Sequence, residues 1–134
     1  MRITGRCHCS AIAYDADIDP EKVSICHCTD CQKLSGSPFR VTVATGRENI
    51  RMSGGEPRVY VKTGDSGRKR LQYFCGDCGE PLFVTGTGEA AEVWGIRWGS
   101  IDQRRELRPT RQIWCNSAID WLAGILELPA SPQA

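Results

Sequence analysis

The chain of 134 residues has no long apolar segment, and no run approaches the ~20 apolar residues that a membrane-spanning helix needs. It also lacks an excess of charge of either sign. Its 17 Lys and Arg residues stand against 16 Asp and Glu residues, which gives a formal net charge of +1. This balance gives no electrostatic reason to expect a polyanionic partner. The sequence therefore predicts no nucleic-acid partner and no membrane partner.

The first residues lack the features of an export signal. MRITGRCHCSAIAYDADI contains neither a long apolar core nor a small-residue cleavage site. We therefore expect a cytoplasmic protein, whose thiols remain reduced. Eight cysteines in a reducing compartment indicate metal binding or redox chemistry rather than a disulfide framework.

Helical patterns are scarce, whereas glycine and proline interrupt the sequence at short intervals, as is typical of a mainly β fold. Alternating apolar and polar residues predict strands near 12–16, 41–44, 58–62, 71–74, 82–84 and 92–98. The turn residues 64–67 predict a hairpin over 58–74. Two segments, 30–34 and 117–125, predict single helical turns or a short helix.

The size and the 40% hydrophobic composition fit one domain. We expect this domain to span residues 1–125 and to be followed by a C-terminal tail, 126–134. The basic triplet Arg68-Lys69-Arg70 is interpreted as solvated surface.

Seven of the eight cysteines fall into three clusters. These are Cys7-His8-Cys9, then Cys26-His27-Cys28-Thr29-Asp30-Cys31, then Cys75-Gly76-Asp77-Cys78-Gly79. The third is a zinc knuckle, in which a tight turn lets both sulfurs face one ion and glycine permits backbone shapes closed to other residues. One knuckle supplies two ligands, whereas a closed structural zinc needs four.

Seven clustered thiolates divide most naturally into four and three. Three ligands within six residues, Cys26, Cys28 and Cys31, can hold one ion and leave a fourth position open, as in catalytic zinc sites. Two remaining pairs, Cys7 with Cys9 and Cys75 with Cys78, would then form a closed site between distant segments. Loop closure makes such a site strongly stabilising.

Another division remains open on spacing alone, although we favour the first. In this alternative, Cys26 and Cys28 complete the knuckle, and Cys31 joins the first pair. A third interpretation is a set of buried or redox cysteines without metal, but a CxxC redox motif belongs in a βαβ setting that this sequence lacks.

The residues beside the ligands have predicted roles of their own. In an extended CxC segment the middle side chain points away from the cysteines, so His8 and His27 are expected near the metals but not as ligands. His27, beside an open zinc, is also a candidate for moving protons. Cys115 is expected to be a buried free thiol.

The order of these motifs resembles a known family. The sequence contains CxC, then CHCxxCQK followed by Gly and Phe39, then FCxxCGxPLF at 74–83. This order of motifs is similar to that of the glutathione-dependent formaldehyde-activating enzymes, a family that includes centromere protein V. The run 107–114 and Trp121-Leu122 resemble the family's ending. The similarity covers roughly residues 3–122.

The resemblance implies a mainly β fold of several small antiparallel sheets around zinc, shared with methionine sulfoxide reductase B. It also implies two zinc ions per chain. Cys7, Cys9, Cys75 and Cys78 would hold a structural zinc, and Cys26, Cys28 and Cys31 a second zinc. Because three ligands hold an ion less tightly than four, the second zinc is the one that a preparation could show partly occupied. The implied activity is that of a carbon–sulfur lyase, and the implied partners are a thiol such as glutathione and an aldehyde such as formaldehyde.

Two residues depart from the family's pattern without removing a ligand. Ser10 follows the first CxC where many members have glycine, and Gln32 follows the second cluster where arginine is common. Because three thiolates make a zinc ion a weak Lewis acid, Lys33 or backbone N–H groups are expected to offset their charge.

Three functions are compatible with these residues. The first is an enzyme that uses the open zinc at Cys26, Cys28 and Cys31. The second is a module that binds glutathione without turnover. The third is a structural protein that docks a protein partner, and it requires a fourth protein ligand at the second zinc, from His27, Asp30 or Cys115.

Overall fold

The computed structural model describes residues 1–134 and is mainly β. The strands are β1 (Arg2–Arg6), β2 (Ile12–Asp17), β3 (Val23–Cys26), β4 (Arg40–Gly46), β5 (Ile50–Gly54), β6 (Arg58–Thr63), β7 (Lys69–Phe74), β8 (Pro81–Thr85), β9 (Val93–Arg97) and β10 (Arg111–Ile113). One α-helix, α1 (Thr29–Ser35), follows β3. Short 3-10 helices cover Arg47–Asn49, Gly88–Glu92, Trp98–Ser100, Arg104–Glu106, Cys115–Ser117 and Asp120–Glu127.

The strands form two sheets. The smaller has three antiparallel strands in the order β1-β2-β5, and the larger has seven in the order β10-β3-β4-β9-β8-β7-β6. All pairs in the larger sheet are antiparallel except β10 with β3, which is parallel. The large sheet therefore collects strands from nearly the whole length of the chain.

The hydrophobic core draws residues from both sheets. The small sheet contributes Ile3, Ile12 and Tyr14, and the large sheet contributes Val43 and Phe83, each at most 3% exposed. Aromatic rings are packed edge to face where the sheets meet, with the Tyr14 and Phe83 centroids 5.0 Å apart. One face of the large sheet is thus used for the core, and its other face is free to form a site.

The mainly β fold and the hairpin over 58–74 are confirmed, since β6 and β7 pair from Arg58–Phe74 to Thr63–Lys69. The larger sheet, with seven strands, is bigger than the small sheets that were expected. The predicted turn at 30–34 is part of α1, whereas the segment 117–125 is 3-10 rather than α-helical. Strands β1, β3, β5 and β10 were not recognised in the sequence.

The C-terminal segment buries little. The 3-10 helix Asp120–Glu127 contains no buried residue, and Leu126 is 98% exposed. Among the helices, none is long and apolar enough to cross a membrane.

Candidate metal centre

Four cysteine sulfurs meet where the two sheets join. Cys7 and Cys9 lie in the turn between β1 and β2, and Cys75 and Cys78 lie in the turn between β7 and β8. All four sulfurs lie within 4.8 Å of one another. The Cys9 sulfur is 3.7 Å from that of Cys7 and 3.7 Å from that of Cys75. We call these four residues the first site.

Tight backbone turns aim these sulfurs inward. The N–H of Cys75 donates to the Glu80 carbonyl at 3.0 Å, and the N–H of Gly79 donates to the Cys75 carbonyl at 2.8 Å. Gly79 has φ +79°, a conformation that favours glycine, and Ser10 has φ +67°. The left-handed backbone at Ser10 explains why glycine suits this position in the family that the sequence resembles.

Three more sulfurs meet at the end of β3. Cys26 ends that strand, Cys28 caps α1, and Cys31 lies in the first turn of the helix. Their sulfurs lie within 4.8 Å of one another, and the N–H of Cys31 donates to the Cys28 sulfur at 3.3 Å. We call these three residues the second site.

Side-chain contacts with other elements hold α1 in place. The Gln32 amide donates to the carbonyls of His27 at 2.9 Å and Ser117 at 3.0 Å, which ties the helix to the C-terminal segment. On the opposite side, Lys62 Nζ of β6 is 2.6 Å from Asp30 Oδ2. The second site is therefore held from both sides, and the family's arginine position is filled here by a residue that positions the helix.

The sulfurs group in space as four and three. Cys26 and Cys28 are not grouped with Cys75 and Cys78, as the alternative division required. All eight cysteines are free thiols. A tetrahedral zinc with Zn–S bonds of ~2.3 Å separates its sulfurs by about 3.8 Å, and the 3.7 Å separations in the first site fit that spacing. The donor sets thus suit a closed and an open metal site, and their role as zinc ligands stays a prediction.

The thiol pKa values differ within the first site. The backbone N–H of Glu80, with that of Cys9, lowers the pKa of the Cys78 thiol to about 6. The Ala11 backbone lowers the pKa of Cys9, but desolvation and the surrounding sulfurs outweigh it and raise that pKa to about 12. Cys78 is thus the more acidic thiol of the two, and the thiolate is the form that binds a metal.

The second site shows the same pattern. Burial, followed by the neighbouring sulfurs, raises the pKa of Cys31 to about 12. Burial alone would also raise the pKa of Cys28, but hydrogen bonds from the Cys31 backbone and from neighbouring thiols lower it, with help from the charge of Lys62. Cys28 is therefore the sulfur that ionises first.

No fourth protein ligand joins the second site. His27 is buried, and its Nε2 is 2.8 Å from Gln112 Oε1, so the imidazole is bound to β10 rather than to the sulfurs. Asp30 is paired with Lys62. Cys115 is exposed, which corrects the expectation of a buried thiol, because it follows β10, an edge strand whose three residues are all exposed.

The three sulfurs open onto a cavity of about 500 Å³ on the face of the large sheet away from the core. Its other lining residues are Ser24, Thr42, Ala44, Lys62, Arg70, Gln72, Val84, Ala90, Val93, Trp94, Gly95, Arg97, Ile113 and Trp114. His27 is not among them. The volume falls within the range of ~300–1,000 Å³ that is typical of small-molecule sites.

Sequence reasoning missed the cations around this cavity. Lys33, which was expected to offset the charge of the thiolates, is exposed, and Lys62 and Arg97 line the cavity instead. Arg70 is also in the lining, so the triplet that was interpreted as solvated surface is only partly so. Alternation within β9 predicts that Arg97 and Ile96 point to opposite faces of the sheet. It does not reveal that the face with Arg97 borders a cavity.

The fold and the two cysteine sites define a mainly β protein with two candidate metal centres, one closed and one open. The family description "Glutathione-dependent formaldehyde-activating enzyme" matches residues 2–117. The chain belongs to this family, as the sequence resemblance indicated.

Two known proteins are similar to the chain. An uncharacterized lyase of Schizosaccharomyces pombe is 31% identical over 83 residues, which are 62% of this chain and 57% of that protein. The chain thus spans a little over half the length of this curated relative. A Rhodobacter sphaeroides protein of known crystal structure superposes with a TM-score of 0.63 at 17% identity, covering 81% of this chain and 98% of that one. This likeness supports the fold alone.

Proposed function

We propose that the protein is a zinc-dependent enzyme of the carbon–sulfur lyase type that acts on the adduct of a thiol and an aldehyde. The candidate reaction joins glutathione to formaldehyde and gives S-hydroxymethylglutathione. Membership of the formaldehyde-activating family supports the class of reaction, and the similar yeast protein is named a lyase. The observation that carries the proposal is a three-thiol site, without a fourth protein ligand, on the wall of a substrate-sized cavity.

Cys26, Cys28 and Cys31 would hold the second zinc, whereas the first site would hold a structural zinc. A zinc ion with an open position lowers the pKa of a bound thiol or polarises a bound carbonyl oxygen. The reaction itself forms one S–C bond as the carbonyl π bond breaks. The thiol loses a proton and the carbonyl oxygen gains one, and lyase action is the reverse.

The chain's own residues supply charge and position. Lys62 and Arg97 place positive charge beside the three sulfurs, where it stabilises a substrate thiolate. Neither a carboxylate nor an imidazole lines the cavity, so the two protons are exchanged with water. The buried His27 is bound to Gln112 and has a positioning role in this mechanism.

The test compares two cysteine variants of the zinc-loaded protein. Because the uncatalysed reaction is fast, the rate is measured at equilibrium, as NMR exchange between glutathione with formaldehyde and their adduct. We expect wild-type protein to accelerate exchange at least about tenfold and Cys28→Ser to abolish the acceleration. Cys115→Ser, which changes an exposed thiol outside both sites, should retain it.

The proposal fails if wild-type protein and Cys28→Ser give the same exchange rate. Binding of glutathione that requires the second zinc, without acceleration, would instead identify a binding module. Zinc content per chain, measured on each preparation, distinguishes an inactive site from an empty one.

A further inference from the structure

Trp114 holds a backbone conformation that large side chains rarely adopt. Its φ is +57° and its ψ is +41°, in the left-handed region. Ser10 is the other non-glycine residue with a positive φ, and its side chain is far smaller. In this region the Cβ atom crowds the following carbonyl oxygen, so a residue as bulky as tryptophan is strained there.

Hydrogen bonds on both sides of Trp114 hold the chain in this conformation. The carbonyl of Ile113 accepts the N–H of His27 at 3.1 Å. The carbonyl of Trp114 accepts the N–H of Ser117 at 3.1 Å, and the carbonyl of Ser117 accepts the Gln32 amide at 3.0 Å. The chain is thus tied to the end of β3 and to α1, and these ties impose the left-handed turn between them.

The Trp114 side chain gains little from folding in return for this strain. It is 67% exposed, so most of its apolar area stays in water. Glycine would adopt the same backbone conformation without the strain. Trp121 is similarly exposed, at 57%, but it has no positive φ and does not line the cavity of the second site. Exposure alone therefore does not distinguish Trp114, whereas its strained backbone and its position do.

Trp114 lies where the cavity of the second site opens to solvent. It follows Ile113, the register partner of Cys26, and it lines the same cavity as the three sulfurs. Deeper in the wall, Trp94 and Arg97 are each 8% exposed and are held by hydrogen bonds. The Trp114 indole is thus an exposed aromatic surface beside the sulfurs, at the end of a wall that is otherwise fixed.

We propose that the Trp114 indole contacts the substrate at the second site and packs against the carbon chain next to the substrate sulfur. A thiol bound through its sulfur would cover the indole and remove apolar area from water. That contact offsets the strain of the left-handed turn, which the free protein leaves uncompensated. This inference rests on the proposed function and adds a substrate-contacting residue to its site.

NMR of isotope-labelled, zinc-loaded protein titrated with glutathione tests the contact directly. Each of the four Trp residues gives one indole N–H signal, and Trp→Phe variants assign the signals. We expect the Trp114 signal to shift until binding saturates, whereas the Trp121 signal should not move. The Trp94 signal reports on binding elsewhere in the same cavity.

Variants separate the contact from the strain. Trp114→Gly and Trp114→Ala both remove the indole, and both should weaken glutathione binding about fivefold or more in calorimetric titrations. Trp114→Gly should melt at least about 2 °C above Trp114→Ala, because glycine tolerates a positive φ. Trp114→Phe should retain most of the affinity, and Trp121→Ala should bind as the wild-type protein does. Zinc content confirms that each variant is loaded.

A Trp114 signal that stays in place while the Trp94 signal shifts would overturn the inference and leave the proposed function intact, since glutathione would then bind away from Trp114. Wild-type affinity in Trp114→Gly and Trp114→Ala would overturn it as well. If glutathione moves no indole signal, the inference is wrong, and the exchange experiment decides separately on the proposed function.

Discussion

Tyr14 lies in the core where the two sheets meet. It is 3% exposed, its hydroxyl is 2.7 Å from Ser100 Oγ, and its ring packs on Phe83. Gly5 is its partner across β1 and β2, and a Cβ atom there would overlap the phenol ring. Because the ring is held at both ends, it cannot move aside. Position 5 therefore requires glycine, since the Tyr14 ring lies too close to its backbone for a Cβ atom.

We therefore expect Gly5→Ala to lower the free energy of unfolding by about 1–3 kcal/mol, the usual cost of overpacking. Urea unfolding followed by tryptophan fluorescence measures it. Gly124→Ala is the matched control, because a Cβ atom there would contact nothing within 4 Å. Equal stability of the two variants would show that the Tyr14 ring can relax.

At the scale of elements, a metal at the first site would act as a clip between the sheets. It joins the β1–β2 turn of the small sheet to the β7–β8 turn of the large one, and Cys9 and Cys75 are 66 residues apart in sequence. Linking such distant segments restricts the unfolded chain strongly. The second site, by contrast, spans only the end of β3 and the start of α1, so a metal bound there would restrict the unfolded chain little.

This difference predicts unequal effects of losing each metal. Cys78→Ser and Cys31→Ser should each lower zinc content from two ions to one per chain. Cys78→Ser should lower the melting temperature by about 5 °C or more, and Cys31→Ser by clearly less. Elemental analysis and calorimetry measure both quantities. A larger thermal loss in Cys31→Ser would mean that the second site, and not the first, holds the fold together.

Elements with a strong alternating pattern, such as the β6–β7 hairpin, could be predicted from the sequence because each strand carries its own signal. The three residues of β10 are all exposed, so the sequence has no period to reveal them. The division of the cysteines into four and three could be predicted as well, because the number of ligands around a zinc ion is a local constraint. The cations of the cavity could not be predicted, because Arg70 and Arg97 are brought together only by the pairing of β7, β8 and β9.

At the scale of the whole molecule, the core and the cavity of the second site occupy opposite faces of the large sheet. The core and the first site lie toward the small sheet, whereas the second site and the cavity lie on the other face. Buried cations can persist on that face because the core and the clip stabilise the strands that carry them. Substitutions in the cavity should consequently change binding more than folding.

The C-terminal end of the chain also has a part that we expect to support the fold and a part that we expect not to. We propose that the domain ends at residue 125, because all of 126–134 is exposed. The 3-10 helix Asp120–Glu127 runs two residues past this boundary, and the N–H of Leu128 donates to the Ile125 carbonyl at 3.2 Å. Removing 126–134 should shift the melting temperature by less than about 2 °C and leave zinc content unchanged. Removing 111–134 should instead destabilise the second site, since it deletes β10, which pairs with β3 up to Cys26 and accepts the N–H of His27. Calorimetry and elemental analysis of both truncated chains decide this, and equal losses in the two would place the domain's end beyond residue 125.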